Sequence, residues 1–341
     1  MDKEQNQNDK ELYQSFLNES MQDYGKSHII PKKNQKRLIK AGRNHALRTN
    51  IMISLAVLLL IVPVLTLSSY LYYAFGGKAN HLIDIATKTI YVTEPNMSLE
   101  EMELEEDIGF FTMNVYFDVF KWIGKEDYKA GAYSVRFALS NPNIPERDMK
   151  LERPLPNIGG METDMLYHPD GPYGKTAYSD WDILKHLPDG TVGEIYLSLD
   201  RLMKPEEIEK QLGNKVEVRW VAVDTGLEDK SLYEAEYSVA PIGYPLQIDS
   251  TTWSPFNGRD KSNEEVFLDI LHFLAKDEKT AEKISRARSL VLKERIPYIE
   301  KNGIHVYGAV VTGPTSELRK LKDNDWIRTM KVGEVKLWNW K

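Results

Sequence analysis

The chain has 341 residues, of which 28% are charged and 42% hydrophobic, and a formal net charge of -7 at pH 7. This suits one or two folded cores and excludes a wholly disordered chain. With no cysteine, a disulfide framework, a thiolate-held zinc and an iron–sulfur cluster are excluded; the mildly acidic balance names no partner.

In the polar preface ending at Asn50, Leu12, Tyr13, Phe16, Leu17, Met21 and Tyr24 recur at helical spacing. Glu11, Gln14, Asn18, Glu19, Gln22 and Asp23 lie between them. The spacing predicts a helix from about Asp9 to Tyr24 with one apolar face, and Asn8 followed by Glu11 resembles a capping box. Such a helix is too short to be stable alone. Covering its apolar side chains would gain roughly 1.5 to 3 kcal/mol each as a gross upper figure. A partner is implied: another protein, the membrane, or the chain's own juxtamembrane helix. The acidic polar side disfavours the membrane, whose interfacial helices present Lys and Arg to anionic lipid. A protein partner is therefore expected, with self-docking or disorder as the alternative.

Pro31 separates this helix from a basic segment that carries Leu38, Ile39 and Leu47 and leads into an apolar run. From Pro31 to Asn50 the segment holds Lys32, Lys33, Lys36, Arg37, Lys40, Arg43 and Arg48 and no acidic residue. Interleaved aromatics and a recognisable reading helix are absent, so direct nucleic-acid binding is not expected.

Ile51 to Phe75 follows, 25 positions without a charge. As a helix it can cross a hydrocarbon layer roughly 30 Å thick. Pro63 is a place for a kink. Ser68 and Ser69 are expected to satisfy themselves on backbone carbonyls, and Tyr70, Tyr72 and Tyr73 to sit at the headgroup layer. The fifty preceding residues and the length of the run argue against a signal peptide. The basic flank places the first fifty residues in the cytoplasm and the remainder outside.

Beyond the span, residues 76–110 read as a linker or stalk with the acidic patch EEMELEED, and residues 111–341 as the exterior domain. FFTMNVYFDVF and AYSVRFALS have strand character. A Pro- and Gly-rich loop then runs from Asn141 to about Gly174. Next, TVGEIYLSLDRLMKPEEIEKQLGNKVEVRWVAVDTG reads as strand, helix, strand, with Ile195, Leu197 and Leu199 inward. Glu194, Tyr196, Ser198 and Asp200 alternate with them. Pro205 suits the first helical turn and Gly213 the exit. IHVYGAVVTG, PTSELRKLK and GEVKLWNW form a second such unit. Between the two units lies a helical hairpin or long helix opened by a Ser262–Glu265 capping box. The expected fold class is α/β or α+β, a two-layer exterior domain built from strand-helix-strand units and preceded by a single transmembrane helix.

No catalytic signature is present. The histidines form no H-x-x-x-H; His168 beside Asp170, and His186 near Asp180 and Asp182, would need a third ligand from elsewhere to hold a metal. VTGPTSE lacks the lysine and glycine run of a phosphate loop. Neither an enzyme nor a cofactor is expected.

The basic juxtamembrane segment, the single span, YLSLDRLMKPEEIEKQL, VRWVAVDTG and YGAVVTGPTSELRKL together resemble the membrane-bound anti-sigma factors of Bacillus-type bacteria. The likeness is to negative regulators of extracytoplasmic-function sigma factors with sigma factor regulator N-terminal and C-terminal domains. It implies that the cytoplasmic preface holds a sigma factor at the membrane, with Leu12, Tyr13, Phe16 and Leu17 covering an apolar groove on it. It also implies an exterior domain that senses envelope state or contacts an accessory membrane protein. The alternative is an anchored ligand-binding or envelope-assembly domain, with recognition by Tyr167, His168 and Tyr173 and by nearby Trp181.

Overall fold

The computed structural model describes residues 2–27, 32–99, 105–154, 165–171, 179–229, 239–247, 254–257, 260–285 and 289–340. Pro31, Tyr173 and most of the acidic patch, singled out above, lie outside the described residues. The chain divides into two units, Met1–Leu65 and Thr66–Lys341.

The first unit holds α1, Asp2–Ser27, and most of α2, Lys32–Ala74. α1 begins at Asp2, six residues before Asn8, so Asn8 and Glu11 lie inside the helix and not at its start. α2 carries the basic segment and the uncharged run in one helix with Pro63 in its interior. By length and composition it can cross a membrane.

The second unit opens with the last turns of α2. Gly76 and Gly77, at φ 65° and 68°, take the left-handed conformation that ends the helix, at little steric cost because they lack a Cβ. α3, Lys78–Thr93, follows directly. Here the expectation of a stalk over residues 76–110 is corrected. Leu82, Ile85, Ala86 and Ile90 recur on one face of α3 and are buried in the main core, and the helix packs against later helices and a short strand.

The first sheet contains β1, Ser98–Leu99, β2, Glu105–Gly109, β3, Thr112–Ile123, and β4, Glu126–Ala138. β5, Asn141–Pro142, and β6, Glu146–Met149, complete it. β3 pairs with β1, β2 and β4, and β4 with β5 and β6, all antiparallel. Met113, Val115, Phe117, Val119 and Ile123 alternate inward along β3, as period-two patterning requires.

After α4, Trp181–His186, comes the second sheet. Its strands are β7, Thr191–Met203, β8, Glu217–Val223, and β9, Gly243–Pro245, with β10, Val306–Pro314, and β11, Ile327–Leu337. The order is β11-β7-β10-β8-β9, every pair antiparallel. β7 and β8, joined through α5, Pro205–Leu212, are therefore parallel with β10 between them. β10 and β11, joined through α9, Thr315–Lys320, are likewise parallel with β7 between them. These are two interlocked split β-α-β units.

The helical segment between the units is three helices rather than a hairpin or one long helix: α6, Asn263–Leu274, α7, Glu278–Ser285, and α8, Leu292–Asn302. The capping box is present, with Glu265 N–H donating to Ser262 Oγ at 3.2 Å and Ser262 N–H donating to Glu265 Oε2 at 2.9 Å.

Both faces of the second sheet are covered. Ile195, Leu197, Val218, Ala309 and Val311 face the main core with α5, α6, α8 and α9. Tyr196, Trp220, Val310 and Tyr307 form a smaller cluster with Leu166 on the other face. Glu194, Tyr196 and Ser198, which alternate with the inward residues, are consequently fully buried too; alternation in β7 marks two interiors, not a wet and a dry side.

Candidate functional site

α1 presents the six predicted residues as a stripe. At about 100° per residue, Leu12 and Phe16 lie along one line and Tyr13, Leu17, Met21 and Tyr24 beside it. All six are exposed, Tyr13 and Tyr24 at 69% and Leu17 at 40%. Glu11, Gln14, Asn18 and Gln22 fall on the other side, Glu19 lies on the rim beside Leu12, and Asp23 falls between Leu12 and Phe16. A large aromatic and aliphatic surface is thus exposed along one side of α1.

The basic residues occupy one side of α2. Lys32, Lys33, Lys36, Arg37, Lys40, Arg43 and Arg48 fall within about 160° of arc at helical spacing, and each is exposed. Leu38, Ala41, Gly42 and Ala46 lie on the remainder. Through Leu65 the helix is exposed all round.

From Thr66 onward the helix becomes one-sided. Ser69 and Tyr73 are fully buried, whereas Leu67, Tyr70, Leu71 and Ala74 remain exposed. Ser69 Oγ accepts the Phe111 backbone N–H at 2.7 Å. The Tyr73 hydroxyl is a donor shared among the carbonyl oxygens of Phe111, Phe137 and Leu139 at 3.1, 3.3 and 3.1 Å. Tyr72 OH meets Ser140 Oγ at 2.9 Å. The expectation that Tyr73 sits at the headgroup layer is corrected: its ring is in the core and its hydroxyl ties the helix end to the turns around β3 and β4. Ser69 likewise does more than bond to its own helix.

A second arrangement joins β3 to β7. Lys121 Nζ donates to Glu194 Oε1 and Oε2 at 2.9 and 2.8 Å and to Tyr196 OH at 2.9 Å. Asn96 Nδ2 donates to Glu194 Oε1 at 2.7 Å, and Glu334 N–H to Oε2 at 3.3 Å. Burial, with Glu194 adding to it, raises the Glu334 carboxyl above its ordinary range. From the sequence, Glu194 is named only as alternating with the inward residues of its strand, and Lys121 is not named. The available signal was the alternation of β3, which places Lys121 inward in register with Val119 and Ile123.

A third group surrounds Asp224. Its Oδ2 accepts Tyr298 OH at 2.9 Å and its Oδ1 accepts Gly226 N–H at 3.1 Å, while His168 Nε2 lies 3.5 Å from Oδ1. Burial would push the Asp224 carboxyl up, but the His168 contact and these two hydrogen bonds outweigh it and hold it low. Burial and Asp224 push Tyr298 up to about 12. His168 also stacks edge-on against Tyr307 at 5.3 Å.

The residues proposed for alternative roles are mostly structural. His168 is buried, Tyr167 N–H donates to Ser198 Oγ at 2.9 Å, and Trp181 packs against the main core. Asp180 Oδ2 accepts Val332 N–H at 3.0 Å, and His186 Nδ1 meets the Asp182 carbonyl oxygen at 2.6 Å within α4. Among the described residues no group of three His, Asp or Glu could hold a metal.

The family model described as sigma factor regulator N-terminal matches residues 36–128, and sigma factor regulator C-terminal matches residues 184–334. The chain is 33% identical over 340 residues to the "Probable anti-sigma-M factor YhdL" of Bacillus subtilis (strain 168), covering 97% of this chain and 91% of that protein. No solved structure matches. Lys121 falls in the N-terminal match and Glu194 in the C-terminal one, so their contact joins the two matched regions. Matching both models in order and one such relative along nearly its whole length, the chain belongs to the sigma factor regulator family, a family of anti-sigma-type regulators rather than enzymes.

Proposed function

We propose that this chain is a membrane-anchored anti-sigma factor that sequesters an extracytoplasmic-function sigma factor and so restrains envelope-stress transcription. The observation that carries the reading is the apolar stripe of α1, whose six side chains are all exposed. Burial of that stripe in a groove of the sigma factor supplies the affinity, and the acidic rim speeds encounter with its basic surface. α2 crosses the bilayer once. The seven basic residues keep the first fifty residues in the cytoplasm, and the domain after the span lies outside.

A single crossing helix has no internal two-state device. Release of the sigma factor therefore needs an accessory membrane protein, a piston or rotation of α2, or proteolytic loss of the cytoplasmic part. Deleting residues 1–25 is the test. Constitutive expression of the sigma-dependent genes is expected while the protein stays in the membrane. Unchanged transcription would instead favour the passive-anchor reading.

A further inference from the structure

We propose that the apolar rim around the end of α2, formed by Phe75, Phe110 and Leu139, is seated in the outer interfacial layer of the lipid bilayer. The folded domain then rests on the membrane instead of hanging from the span. The inference rests on the reading that α2 crosses the bilayer and adds a second lipid contact to it.

Three observations lead here. The first is length. The last charged side chain before the span is Arg48, and the twenty residues 49–68 rise roughly 30 Å as a helix, enough for the hydrocarbon layer. Ser69 then stands at its outer edge, and the Phe111 backbone bonded to it shares that level. The second is placement. Phe110 directly precedes Phe111, and Leu139, which donates its N–H to Phe111 O at 2.8 Å, also accepts from Tyr73. Phe110, Leu139 and Phe75 are exposed by 53%, 43% and 73%. Two turns thus hold apolar side chains open to solvent beside the emerging helix.

The third is backbone strain. Leu139 has φ 57°, a conformation in which a bulky side chain is an outlier and glycine is at ease. Backbone preference does not favour leucine there and 43% of it stays exposed; an apolar surrounding outside the chain accounts for that exposed part. Asp107, exposed on β2 three residues behind Phe110, is roughly 10 Å back along the strand. That limits the seat to the interfacial layer, where aromatic side chains are favoured. Leu337 is also exposed, but it adjoins the other end of the domain: Asn339 bonds to Ile123 O at 2.9 Å, eleven residues and roughly 36 Å along β3 from Thr112.

The cysteine-free chain makes the test direct. Phe110→Cys, Leu139→Cys, Leu337→Cys and Leu58→Cys are each introduced into the full chain, labelled with the fluorophore NBD and reconstituted into phosphatidylcholine–phosphatidylglycerol vesicles. Depth is then read with spin-labelled lipids. Quenching at 110 and 139 at least twofold stronger by shallow than by deep spin labels, with none at 337 and deep quenching at 58, is expected. Labels at 110 and 139 that behave like 337 while 58 is deep would overturn the seating and leave the span intact. Shielding of 110 and 139 from aqueous iodide without lipid quenching would assign the rim to a protein neighbour and also overturn it. Failure of quenching at 58 would remove the crossing itself. Two rim positions guard against one variant misfolding, which circular dichroism reports separately.

Discussion

Lys121 Nζ and the Glu194 carboxylate meet at 2.8 Å with neither side chain open to water, and they do so between two sheets that share no paired strand. Bringing both charges out of water is costly, so the pair is a weak stabiliser in net terms. Removing one partner is another matter, because the other charge stays buried. Lys121→Met is expected to destabilise the domain by about 3–5 kcal/mol, read as a fall in the urea midpoint of the detergent-solubilised chain. Lys121→Met with Glu194→Gln should recover part of that loss, since the neutral amide still accepts from Asn96. A single mutant as stable as the wild type would sink this account.

The α1 stripe makes a sharper claim about binding. Phe16→Ala combined with Leu17→Ala should cost about 2–5 kcal/mol of sigma-factor affinity, whereas Glu19→Gln should change little beyond the salt dependence. Calorimetric titration of peptide 1–50 with the purified sigma factor measures both. Undiminished affinity in the double mutant rules out the stripe as the anchor.

At the end of α2, Tyr73→Phe keeps the ring and deletes the hydroxyl shared by three carbonyl oxygens. The expected loss is about 1–3 kcal/mol from carbonyl oxygens that lose this buried donor. Thermal unfolding of the full chain checks it, and a melting temperature equal to that of the wild type would show that the hydroxyl does not hold the turns.

Two buried carboxylates should tilt stability with pH in opposite senses. Asp224 is held below its ordinary range, so its contribution is present above that range and is lost as pH falls through the folded value. Glu334 is raised, so the folded state favours its protonated form and loses that advantage as pH climbs from the ordinary glutamate range through the raised folded value. Asp224→Asn should flatten the acid side of the stability curve. Glu334→Gln should gain on the wild type as pH rises above the ordinary glutamate range. Parallel urea titrations across that range check both signs.

How much of this could be read from the chain depended on whether the signal was local. Ser262 with Glu265, Pro205, Gly213 and the odd-numbered inward residues of β3 are local signals, and the structure carries each where its chemistry places it. α3 was misread because HLIDIATKTIYVT is rich in β-branched residues, which lean toward strand by propensity. Its buried residues Leu82, Ile85, Ala86 and Ile90 follow helical spacing, and tertiary packing prevailed. Lys121 and Glu194 lie 73 positions apart, so each could be flagged alone but not paired. Strand order is non-local in the same way. The α1 stripe was legible because exposure leaves amphipathic spacing unmixed with core demands.

The interleaving of the second sheet has a consequence for biogenesis. β7 finds both neighbours, β10 and β11, among strands synthesised after it, and β8 awaits β10 on one edge. The 83-residue interval from Val223 to Val306 takes about 4 to 17 s to translate at roughly 5–20 residues per second. For that time two apolar strands stand without their central partner. A message truncated before β10 leaves them so permanently, and quality-control proteases then have an open template to cut.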